Sequence, residues 1–111
     1  MAVVATKTSS RSANAVTMAA ASAGGDKFTN TGKELLLVDH TNSGGSSVTL
    51  TITTTATQDG LAVADRTVTI AAGERHLLGP FPKALYNDEN GQVSLGWSSE
   101  TDIELAVLLS A

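Results

Sequence analysis

Residues 47–55 read SVTLTITTT. Val48, Leu50 and Ile52 alternate with Thr49, Thr51 and Thr53. In an extended chain successive side chains point to opposite faces, so the aliphatics share one face and the threonines the other. An α-helix would scatter both sets around its axis. β-Branched residues also fit a pleated, half-buried surface. One dry face and one wet face describe a strand of an antiparallel sheet.

The same reading extends in both directions. ELLLVDH (34–40) is a continuous apolar run, expected to be a strand buried on both faces. RTVTIAA (66–72) repeats the alternation with Val68 and Ile70, and RHLL (75–78) follows after a short turn. QVSLGW (92–97) places Val93, Leu95 and Trp97 on one face, and DIELAVLLS (102–110) does so with Ile103, Leu105, Val107 and Leu109. The joints TNSGGSS, TQDG, AAGE and NDENG are turn-formers at the spacing of a sandwich or barrel. The predicted fold is all-β: a single-domain antiparallel β-sandwich, jelly-roll-like, over residues 15–111.

Residues 1–14 are small and polar, with Lys7 and Arg11 but no sustained apolar period, and are expected to form an extended N-terminal arm. AVTMAAASA (15–23) is open to two readings. Asn14 or Ser12 as cap and Gly24 as stop favour a helix, whereas Val16 and Met18 alternating about Thr17 favour a strand, the preferred reading. As a secretion signal it lacks a leucine-rich centre.

A chain of 111 residues fits one domain and buries roughly two-thirds of its unfolded surface. With no cysteine, neither disulfides nor thiolate metal sites are available. A net charge of −4 without a basic stripe argues against nucleic acid, and no run of about 18 apolar residues suggests a membrane span. The charge is uneven. Residues 1–33 hold Lys7, Arg11, Lys27 and Lys33 against Asp26, while residues 84–111 hold acids and no base. Such asymmetry suits either a solvated surface or a head-to-tail contact.

The stretch GERHLLGPFPKALYNDENGQ (73–92) concentrates both prolines, His76, Phe81 and Tyr86. Pro80 and Pro82 lack backbone donors and push Gly79 and Phe81 towards extended geometry, so the strand must leave its sheet at Gly79. Phe81, helped by Leu85 and Tyr86, is then expected to plug the end of the core. A calcium loop with Gly91 at its glycine position would need Tyr86 and Trp97 as ligands, which neither can be. His40 and His76 have no matching ligands or nucleophile motif, and Asp39 should point away from His40 across the sheet. No enzyme, cofactor or metal site is expected. Trp97 alternates with core residues, which favours burial over sugar stacking.

AGGDKFTNTGKELLLVDHTNSGG (23–45), RTVTIAAGERHLLGPFP (66–82) and YNDENGQVSLGWSSETDIELAVL (86–108) together resemble small proteins of tailed bacteriophages and prophages. The shared pattern is a Gly-Gly-Asp turn, a strand leading to an Asn-Gly-type loop, a Gly-Pro-Phe corner and a Thr/Ser-Val ending. These proteins are encoded near the major capsid protein, and several serve as capsid decoration, or cement, proteins. The resemblance implies a β-sandwich, commonly a homotrimer, made in the bacterial cytoplasm and placed on the virion surface. Its implied partners are the major capsid protein and its own copies. It carries no catalytic motif. The residues expected at the capsid or subunit contact are Val3, Val4, Lys7, Arg11, Phe81 and Tyr86. The alternatives are another virion part (a head–tail connector or tail-tube subunit) or a carbohydrate-binding sandwich module.

Overall fold

The computed structural model describes residues 2–11 and 15–109. The boundary expected at residue 14 and the strand end expected at Ser110 lie outside those residues. In chain order the elements are β1 (Ala2–Val3), β2 (Thr6–Thr8), β3 (Ala19–Ala20), β4 (Asp26–Thr29), β5 (Leu35–His40) and β6 (Val48–Ile52). They continue with β7 (Thr57–Gln58), β8 (Leu61–Ala62), β9 (Arg66–Ile70), β10 (Arg75–Leu78), α1 (Lys83–Tyr86), β11 (Gln92–Trp97) and β12 (Ile103–Leu109).

The alternating strands sort into two sheets whose apolar faces meet. One has the order β1-β4-β11-β6-β9, the other β10-β5-β12-β2, with β3 also on β12. From β4 onwards every pairing is antiparallel. Phe28, Val48, Leu50, Ile52, Ile70, Val93 and Leu95 from the first sheet pack against Leu36, Val38, Ile103, Leu105 and Val107 from the second. The chain is therefore an all-β sandwich, as the period-two pattern implies. Val48, Leu50 and Ile52 are all buried, while Thr49 between them is exposed.

Three expectations change. Strand β5 alternates instead of being buried on both faces. Leu36, Val38 and His40 point inward, and Leu35, Leu37 and Asp39 are half-buried, because only neighbouring side chains of the same sheet, such as those at Leu77 and Ala106, flank them. Leu85 does not plug the core. It is 36% exposed on the outside of α1, whereas Phe81 and Tyr86 are buried. Gly79 is not extended but sits at φ 118°, with a cis peptide to Pro80.

The N-terminal segment is extended and joins both sheets of its own sandwich. Strand β1 runs parallel to β4, and β2 runs parallel to the second half of β12, whose first half pairs with β3. The backbone N–H of Val4 donates to Lys27 at 2.8 Å, that of Ser9 to Leu109 at 2.7 Å, and the Val4 side chain packs on the core. One inward apolar residue between two short edge strands leaves no period in the sequence, which is why this docking is invisible there. The segment covers the edge of β12 that would otherwise present unpaired donors and acceptors. On the opposite side, β9 and β10 are the free edges of their sheets, joined by the turn at 71–74.

Candidate functional site

The Gly79–Gly91 region is held as a corner by side-chain amides. Asn30, buried in the loop after β4, donates from Nδ2 to the Phe81 carbonyl at 2.9 Å and to Asn87 Oδ1 at 2.7 Å. Asn87 Nδ2 returns a bond to the Asn30 carbonyl at 2.9 Å, and Gly32 N–H donates to Asn30 Oδ1 at 3.0 Å. These bonds tie the loop between β4 and β5 to the loop between α1 and β11. Phe81 lies in the core at a ring-centroid distance of 5.7 Å from Phe28 and 5.5 Å from Tyr86, edge-on to the latter.

Two carboxylates stiffen the same end. Glu34 accepts the N–H and the hydroxyl of Thr31 and the N–H of Lys33. Burial works to raise its carboxyl, but the Thr31 and other donors outweigh it and hold the group below the usual carboxylate range. Asp88 Oδ1 accepts the N–H groups of Gln92 at 3.0 Å and Asn90 at 2.8 Å. The Gln92 bond is the main cause of its lowered pKa. The stretch that first resembles a chemical site is thus a hydrogen-bonded turn.

The histidines have structural partners too. His40 ends β5 and is buried. Its Nε2 lies 2.7 Å from the Ser46 carbonyl, which can only accept, so the ring proton is there. Its Nδ1 accepts a long bond from Asn42 N–H at 3.4 Å. Both ring nitrogens thereby hold the loop after β5. His76 Nε2 lies 3.1 Å from Glu74 Oε1 in the exposed turn before β10. Asp39 points away from His40, as expected, and pairs with Arg75 at 3.1 Å. Among the described residues no group of three or more His, Asp or Glu side chains is placed to hold a metal.

Trp97 is half-buried against the core, and its indole Nε1 donates to Asp26 Oδ2 at 2.8 Å. The same oxygen accepts Ser22 N–H at 3.0 Å. Asp26 is fully buried, and these bonds are what a carboxylate needs there.

A concave surface lies between the free edges of β9 and β10. It has a volume near 420 Å³, with Ile52, Phe81 and Tyr86 among its lining and Pro80 and Leu85 at the corner end. Arg66 pairs with Ile52 across the ladder, so it starts β9 on the core-facing side and reaches the groove. Its Nε donates to Tyr86 Oη at 3.3 Å. No carboxylate pairs with Arg66 among the described residues. Apolar walls with one guanidinium suit an apolar group carrying a carboxylate.

The residues expected at a contact fall into two separate places. Val3 (60% exposed), Lys7 and Arg11 are on the surface of the N-terminal segment, while Val4 turns inward. Phe81 and Tyr86 come together at the groove, buried, on the side of β9 and β10. Sequence reasoning missed Arg66 and Leu85 as groove residues, and it missed the β7–β8 hairpin. Its Asp-Gly pair was readable as a turn, and Asp59 and Gly60 have the positive φ values, 53° and 78°, of a type I′ hairpin. Compared with models of known families, with curated proteins and with solved structures, the chain matches none.

Proposed function

We propose that this chain is a structural subunit of a tailed-bacteriophage virion, a capsid decoration protein that binds the major capsid protein and its own copies. The observation that carries the reading is the resemblance of residues 23–45, 66–82 and 86–108 to such proteins. The fold is compatible with that role: a sandwich whose polar clusters brace loops, with apolar side chains such as Val3 and Leu61 left at its margins. Many copies on one lattice make weak individual contacts sufficient for attachment. A carbohydrate-binding role is less well supported, because it needs an exposed aromatic platform. Phe28, Phe81 and Tyr86 are buried, and Trp97 is half-buried with its N–H engaged.

The test is co-sedimentation with mature capsids lacking this protein. Binding should saturate at a fixed ratio to the major capsid protein, and decorated capsids should survive heat or low salt better than bare ones. A ligand that binds only the intact lattice stabilises that state by mass action. Combining Val3→Asp, Lys7→Glu and Arg11→Glu should weaken attachment without altering the melting temperature, since all three side chains are exposed. Absence of co-sedimentation by the unmodified chain sinks the reading. Assembly into an open-ended tube or a large ring would instead favour a tail or connector subunit.

A further inference from the structure

The β7–β8 hairpin joins neither large sheet. A lone two-stranded ribbon is marginally stable in water unless another surface covers it. Its root is pinned to the body, with Thr54 N–H donating to Asp65 Oδ1 at 2.9 Å and the Thr54 hydroxyl bonded to the Val63 carbonyl. Its tip is bare. Leu61 is 72% exposed, and Asp59 at the turn enters no ion pair among the described residues.

The groove beside Arg66 has the opposite character. It is a hole with an apolar floor and a guanidinium that pairs with no carboxylate among the described residues, and the hairpin root at Val63 and Ala64 lies near its Arg66, Leu85 and Tyr86. The hairpin does not fill its own groove, since Leu61 remains exposed. An apolar side chain two positions from a carboxylate is the occupant this lining suits, and the chain itself supplies that pair.

We propose that the groove is filled by a second copy of this chain: the hairpin tip of one copy enters the groove of the next, Leu61 on the apolar floor and Asp59 against Arg66. Knob and hole are different surfaces, so the contact is heterologous and runs head to tail, closing after three copies into the trimer expected of the capsid-decoration reading. It rests on the self-association within the reading above, and not on capsid binding.

Sedimentation of the isolated full chain at several concentrations tests it. The unmodified protein should show a concentration-dependent oligomer. Leu61→Ser and Leu85→Lys should each raise the apparent dissociation constant by about tenfold or more, with unchanged circular dichroism. An equimolar mixture of those two variants keeps one intact junction per pair and should form dimers. Asp59→Arg should weaken association, and adding Arg66→Asp should restore it. Leu61 sits on an exposed tip, so its variant remains informative if Leu85→Lys fails to fold. A monomer at all concentrations, or an oligomer indifferent to Leu61→Ser, overturns the contact, as does association lost only on Val3→Asp. A monomer that still saturates capsids overturns this contact and spares the capsid reading, whereas an oligomer that ignores capsids does the reverse.

Discussion

Gly79 sits where β10 leaves its sheet, and two constraints meet on its α-carbon. Its φ of 118° lies in a region that side chains disfavour. A Cβ there would also approach the Glu34 carbonyl oxygen to 2.9 Å and the Phe81 ring to 3.2 Å. Gly79→Ala is therefore expected to cost about 1–3 kcal/mol or more, a strained backbone being compounded by a clash with main chain. The check is the shift in urea midpoint, with Gly60→Ala as comparison. Gly60 also has positive φ, 78°, but its added Cβ would meet open space, so its loss should be smaller. Equal losses at the two sites would show that the close approach to Glu34 contributes nothing. The corner itself was legible from Pro80 and Pro82, because a missing donor and a fixed φ are local properties. That Asn30 would bond the Phe81 carbonyl was not legible, since the two are 51 residues apart.

At the scale of elements, the N-terminal strands matter most. β1 and β2 add short parallel pairings to an otherwise antiparallel sandwich. They bring little apolar area, yet β1 covers the edge of β4, and β2 covers the outer edge of β12, where Val107, Leu108 and Leu109 are paired with Thr6, Lys7 and Thr8. Removing residues 1–11 is expected to lower stability by about 1–3 kcal/mol, roughly the worth of burying one Val such as Val4. It should also promote aggregation, because an uncovered edge invites a foreign strand. Chemical denaturation and light scattering read the two effects separately. A truncated chain as stable and as soluble as the full one would mean that these strands do not protect β12. Capsid attachment is accordingly better probed by the exposed side chains of this segment than by deleting it.

At the scale of the molecule, pH acts through the loops that join the sheets. Glu34 and Asp88 are both held below the usual carboxylate range. A carboxylate with a depressed folded-state pKa contributes stability that is present above its unfolded value, about 4, and is lost as pH falls through the lower folded value. The melting temperature should therefore be flat from neutral pH down to about 5 and then fall. Glu34→Gln should start lower and fall less steeply over that acid range. If the Gln variant keeps the full acid dependence, the Thr31 donors do not set the behaviour of Glu34.

Local sequence is enough to set the class of fold and the inward face of nearly every long strand. Period two is a local rule: Val48, Leu50 and Ile52 must share a side whatever they pack against, and the same holds for Ile103, Leu105 and Val107. The turns were legible for the same reason, since Gly, Asn, Asp and Pro impose their torsions on their own neighbourhood. Which strands become neighbours follows from long-range packing. It put β1 and β2 on different sheets, set Leu85 outside and Tyr86 inside, and made His40 a brace for its own loop. It also left β9 and β10 as facing edges, so that Arg66 stands over an apolar groove with the hairpin root beside it. Those outcomes depend on pairings between residues far apart in the chain, whose energies appear only once both partners are in place. No window of local sequence contains them.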